Sequence, residues 1–118
     1  DTATTEIYTL SLHDALPIQV FVSCASRDEA KSLVDSLLND QIIACAQILP
    51  AIESFYRWQG QIESANEVLL LLKTQQVHFK AIVKTIKKVH SYETPEVIAV
   101  PVVAGLPEYL SWIDDEVN

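Results

Sequence analysis

The stretch IIACAQILPAIESFYRWQGQIESANEVLLLLKT, residues 42–74, decides the fold. Gln59-Gly60 sits between two extended, apolar-rich runs, and glycine supplies the positive φ that a tight hairpin needs. The stretch therefore predicts two long antiparallel strands. Pro50 interrupts the first, which places it at a sheet edge or a bulge. Beyond Pro50, Ile52, Ser54, Tyr56 and Trp58 fall on one face by the two-residue period. The returning strand, EVLLLLKT, is apolar on both faces, so both need cover.

Around this hairpin the pattern is symmetrical. QVFVSC, residues 19–24, is β-branched and apolar and reads as the first strand. Ser26 opens SRDE, a capping box with Glu29 three positions on. Ala30, Leu33, Val34, Leu37 and Leu38 then form one helical stripe that ends near Asn39 and Asp40. After the hairpin, a second helix is expected from about Gln75 to His90. Phe79, Ile82, Val83 and Ile86 lie on its inner stripe, and Lys80, Lys84, Lys87 and Lys88 form a solvated face. EVIAVPVV reads as a fourth strand. GLPEYLSWIDDEV reads as a short third helix with Pro107 in its first turn.

The order β-α-β-β-α-β plus a helix predicts an α+β fold, a ferredoxin-like split βαβ sandwich with antiparallel sheet order 4-1-3-2. Two helices cover one face of such a sheet. VFVSC, VLLLL and VIAVPVV are apolar on both faces, so the other face is expected to meet further copies of the chain. A charge at Leu70 or Leu72 is expected to dissociate or unfold that assembly.

The chain has 118 residues, enough for one domain. Its net charge of −8 argues against a nucleic-acid ligand. No apolar run reaches the length of a membrane-spanning helix. Two cysteines are too few for a disulfide framework, and a reducing, cytoplasmic setting is expected. Residues 1–18, DTATTEIYTLSLHDALPI, carry no Lys or Arg, and their back-translation resembles a short-read sequencing adapter. We expect them to be a non-native leader, with residues 19–118 the single domain and Ile18 apolar enough to join its first strand. Residues 19–118 then hold 13 acidic and 8 basic side chains, a net charge of −5.

The hairpin stretch, VHSYETPEVIAVPV (residues 89–102) and YLSWI together resemble the divalent-cation tolerance family, CutA, over about residues 19–117. The resemblance implies a PII-like ferredoxin-like subunit, a tight homotrimer and an association with copper and other divalent cations. His90 matches the histidine that precedes the family's Tyr-Glu. Val89 stands where some bacterial members carry a second histidine.

Cys24 and His90 are the candidate metal ligands, a thiol with an imidazole, suited to copper. They fall short of a closed site unless water or a neighbouring subunit completes it. The competing roles are a small buried thiol and a helix-terminal histidine. Cys45 reads as core and His78 as solvated. Tyr56, Trp58, Tyr92, Glu93 and Glu96 are the candidates for an acidic, aromatic intersubunit cleft. Glu93 and Glu96 also stand as partners for Arg57 or Lys73. No Ser-His-Asp grouping or glycine-rich phosphate loop is present. Arg27 follows the first strand as in acylphosphatases, but SCASRDEA has no glycine to cradle a phosphate, so no enzymatic activity is expected. The alternative reading is a PII-like signalling or scaffold trimer whose clefts bind a small molecule or partner protein.

Overall fold

A computed structural model describes residues 13–118. Strand β1 (Pro17–Cys24) leads to helix α1 (Arg27–Asn39). Strands β2 (Cys45–Trp58) and β3 (Gln61–Gln75) form the hairpin. A 3-10 turn (Gln76–His78) precedes helix α2 (Phe79–Val89), then strand β4 (Val97–Pro101) and helix α3 (Pro107–Glu116). The sheet order is β2-β3-β1-β4, all antiparallel, which is the expected 4-1-3-2 read from the other edge. Among the described residues no helix is long and apolar enough to cross a membrane.

The turn chemistry is as the residues dictate. Gln59 and Gly60 both have positive φ, 50° and 80°, as a two-residue hairpin turn with the right twist demands. The pairing slips between Leu49 and Ile52, and Ala51 takes φ 59°, so Pro50 lies at a bulge in an edge strand. β1 begins two residues before the expected Gln19. Ile18 is buried and pairs with Thr74 and Pro101. The leader boundary expected at residue 18 thus abuts a residue of β1, and residues 1–12 of that leader lie outside the described residues.

One face of the sheet carries the core. Val20, Val22, Leu70 and Leu72 are fully buried against Leu33 and Leu37 of α1 and Ile82 and Ile86 of α2. Leu70 and Leu72 belong here, so a charge at either position attacks the fold itself; their odd-numbered neighbours lie on the helix-free face. On the opposite face the register aligns Leu49 with Leu69, and Leu71 with Phe21, which in turn faces Ile98. Leu49, Ile98 and Val100 remain 44, 53 and 41% exposed. Helix α3 reaches only the far end of this face, through Tyr109 at Cys45 and Asp114 at Gln75. Cys45 is therefore half-buried on this face beside Tyr109, not in the core as expected. His78 is not freely solvated either, because its Nε2 lies 2.8 Å from the Asn118 carbonyl.

Beyond the bulge, residues 61–67 of β3 pair with β2 alone, because β1 ends at Cys24, opposite Val68. The hairpin projects as an arm, and the molecule measures 55 × 29 × 27 Å.

Candidate functional site

Two candidate sites lie at the same end of the sheet. In the first, β1 ends at Cys24, α1 begins at Arg27, and His90 follows the last residue of α2. These two junctions, β1–α1 and the exit from α2, bring the Cys24 thiol, a Glu29 carboxylate oxygen and a His90 ring nitrogen within 4.8 Å of one another. Cys24 and His90 were expected to meet. Glu29 was read only as the partner in a capping box. Half of that box is present: Ser26 Oγ accepts the Glu29 N–H at 3.1 Å. The Glu29 carboxylate, however, accepts from the N–H groups of Ala25 at 2.9 Å and Ser91 at 2.5 Å. It thus ties the start of α1 to the segment after α2.

The local electrostatics follow from burial and these bonds. Burial, reinforced by the charges of Glu29 and Glu67, pushes the Cys24 thiol up to about 12. For Glu29, burial favours the neutral acid, but the Ser91 and Ala25 amides, with His90 nearby, outweigh it and hold the carboxyl below its ordinary value. The His90 side chain is fully enclosed. Its Nε2 lies 2.7 Å from the Ser23 carbonyl and its Nδ1 accepts the Tyr92 N–H at 3.0 Å, which together define the neutral Nε2–H tautomer. Nδ1 also faces Glu29 at 3.6 Å.

A thiol, an imidazole and a carboxylate form a mixed donor set that fits a borderline divalent ion such as copper or zinc. Binding there has to release the Cys24 proton and displace the Tyr92 amide from Nδ1, which weakens the site and makes it pH-dependent.

The second site is a cleft of about 610 Å³ beneath the arm. Tyr56, Trp58, Tyr92, Glu93 and Glu96, the five expected cleft residues, all line it, together with Phe55, Glu63 and Glu67. By register, Ser54, Tyr56 and Trp58 share the helix-free face with Glu63 and Glu67, so the cleft continues the open apolar surface. Tyr92 and Glu93–Glu96 reach it from the segment between α2 and β4. Glu93 and Glu96 make no ion pair with Arg57 or Lys73 among the described residues; Lys73 instead donates to Gln47 at 3.1 Å. Tyr92 OH donates to Glu67 Oε2 at 2.8 Å. Burial, then that bond and the Glu67 charge, raise the Tyr92 phenol to about 12, so it stays protonated and donating across the neutral range. Sequence reading missed Glu67 because it lies just ahead of an apolar run, in a strand whose register the sequence does not print.

A four-stranded split βαβ sheet with a projecting hairpin and an acidic cleft defines a ferredoxin-like fold of the PII-like class. The profile of the CutA1 divalent ion tolerance protein family matches residues 18–116, and the chain belongs to that family. It is 38% identical over 96 residues to the chloroplastic protein CutA of Arabidopsis thaliana, and the match takes in 81% of this chain and 53% of that one. The chain thus spans about half the length of this plant relative. Among solved structures, CutA from Xylella fastidiosa superposes with a TM-score of 0.83 at 40% identity, over 86% of this chain and 98% of that one. The periplasmic divalent cation tolerance protein CutA from Archaeoglobus fulgidus superposes at 0.84 with 36% identity, over 87 and 100% of the two chains.

Proposed function

We propose that this chain is a non-catalytic, homotrimeric divalent-cation tolerance protein that binds copper weakly through Cys24, Glu29 and His90. The observation that carries the reading is the convergence of three donors, two flanking the β1–α1 connection and one following α2, within 4.8 Å. Copper is favoured among divalent ions by the affinity order of first-row metals and by the thiol and imidazole donors. Trimer formation rests on the apolar, helix-free face, which a single subunit leaves exposed around Leu49, Ile98 and Val100. The unpaired cysteines Cys24 and Cys45 favour a reducing compartment, the cytoplasm, for this chain. The leader reading expects removal of residues 1–17 to leave the melting temperature nearly unchanged, although Pro17 opens β1 and pairs with Gln75.

Copper titration with native mass spectrometry tests the metal role. Cys24→Ala/His90→Ala lowers copper affinity by about tenfold or more. Glu29→Gln weakens it by less, because the amide oxygen still offers a donor. Unchanged binding in the double variant removes the metal role from these residues.

A second reading, a PII-like signalling or scaffold trimer, is supported by the cleft of about 610 Å³ under the arm. Its aromatic and acidic lining is that of a binding surface for a small molecule or partner.

A further inference from the structure

Residues 91–96 connect α2 to β4 without regular secondary structure. Among the described residues, three hydrogen bonds hold them. The Ser91 N–H donates to Glu29 Oε1 at 2.5 Å, the Tyr92 N–H to His90 Nδ1 at 3.0 Å, and the Tyr92 hydroxyl to Glu67 Oε2 at 2.8 Å. The first two end on the atoms through which Glu29 and His90 face each other, 3.6 Å apart. The third ends in the cleft, whose wall Tyr92, Glu93 and Glu96 share with Glu67. One short segment thus joins the donor cluster to the cleft.

The two acceptors at the cluster cannot serve this segment and a metal ion equally. His90 Nε2 is directed at the Ser23 carbonyl, so Nδ1 holds the ring's free lone pair, and the Tyr92 N–H occupies it. An ion on Nδ1 takes that lone pair outright. Glu29 Oε2 is engaged by the Ala25 N–H, and Oε1, the oxygen turned toward His90, carries the Ser91 N–H. A divalent charge on Oε1 repels the positive end of that amide dipole and weakens the bond. Two consecutive N–H groups then lose their acceptors together. An enclosed amide without a partner is costly, so the backbone moves out to find water. The Tyr92 ring lies 5.0 Å from the His90 ring, so a shift of the imidazole toward an ion also reaches Tyr92 directly.

We propose that a divalent ion at Cys24, Glu29 and His90 releases residues 91–96 from Glu29 and His90 and so reshapes the cleft wall that carries Tyr92, Glu93 and Glu96. The proposal rests on the metal reading above and names what the bound ion regulates. The coupling is reciprocal: a change that loosens the segment strengthens metal binding.

Zinc, which suits the same donors and carries no redox chemistry, is the probe. The intact protein is titrated with zinc, and amide hydrogen exchange is followed residue by residue. At saturation the Ser91 and Tyr92 amides exchange about tenfold faster than without zinc, while those of β1 and β3 keep their rates. Ser91→Pro has no N–H to offer Glu29, and His90 already has the extended backbone, φ −72° and ψ 139°, that a residue before proline requires. It binds zinc about threefold more tightly than wild type. Tyr92→Phe, which loses only the bond to Glu67, binds about twofold more tightly. A segment that merely supports the donors gives the opposite sign, and weaker zinc binding in both variants overturns the proposal. Zinc uptake with unchanged exchange at Ser91 and Tyr92 also overturns it, and leaves the metal reading standing. Zinc affinity that Cys24→Ala/His90→Ala leaves unchanged removes the metal reading and this proposal with it.

Discussion

The two faces of the sheet are built from the same residue types and differ in what covers them. On one, Val20, Val22, Leu70 and Leu72 are sealed beneath α1 and α2. On the other, Phe21, Leu69 and Leu71 lie beside Leu49, Ile98 and Val100, and the last three stay 41–53% exposed. The apolar–polar alternation of a strand with one wet face is absent from VFV, LLLL and VIAV. A chain that keeps both faces apolar and has helices for only one leaves the second face to be covered by another chain in the trimer proposed above. At about 25 cal/mol per Å² of apolar area removed from water, covering that face stabilises the assembly and makes its melting concentration-dependent.

The sharpest way to break this contrast is to charge each face in turn. Leu70→Asp, on the covered face, abolishes folding: even Leu→Ala at such a site costs about 2–5 kcal/mol, and an unpaired buried charge costs more. Loss of the far-UV circular dichroism signal is the expected readout. Leu71→Asp, one residue along and on the other face, leaves the secondary structure in place and shifts the native mass to a single chain. If both variants behave alike, the faces do not differ as described.

Smaller effects sharpen the picture at the edges of the sheet. Glu29→Gln weakens the tie between α1 and the segment after α2 by about 1 kcal/mol in urea denaturation. The pH dependence has a definite sign. The folded-state pKa of Glu29 is lowered, so its contribution is full above the ordinary carboxylate value and is lost as pH falls through the folded value. Glu29→Gln therefore flattens the acid limb of the stability profile and leaves the neutral region parallel to wild type. Gly60→Ala costs about 1 kcal/mol through backbone strain alone, since a Cβ there meets nothing within 4 Å and φ is +80°. It leaves the native mass unchanged, because the turn lies at the tip of the arm.

The parts of this architecture that were legible in the sequence are those written in local chemistry. Gln59-Gly60 announces its turn, Pro50 its bulge, Ser26 its helix start, and the unbroken apolar strands announce the missing cover. The five cleft residues were also legible, because aromatic and acidic side chains cluster in two short stretches. What stayed hidden depends on contacts distant along the chain. Glu29 meets Ser91 across 62 positions, and nothing in SRDE distinguishes a capping glutamate from one that bridges two loops. Glu67 was hidden by register, and the half-exposed state of Cys45 by the unforeseen resting place of α3. For Leu70 and Leu72 the sequence left dissociation and unfolding both open, for the same reason: in a strand apolar on both sides, composition does not say which parity faces the helices.

Sedimentation equilibrium of the wild-type chain at micromolar concentration tests the central claim most directly. Three chain masses, falling to one in Leu71→Asp, is the expected result. A single chain mass for wild type, with cooperative melting that does not depend on concentration, contradicts it.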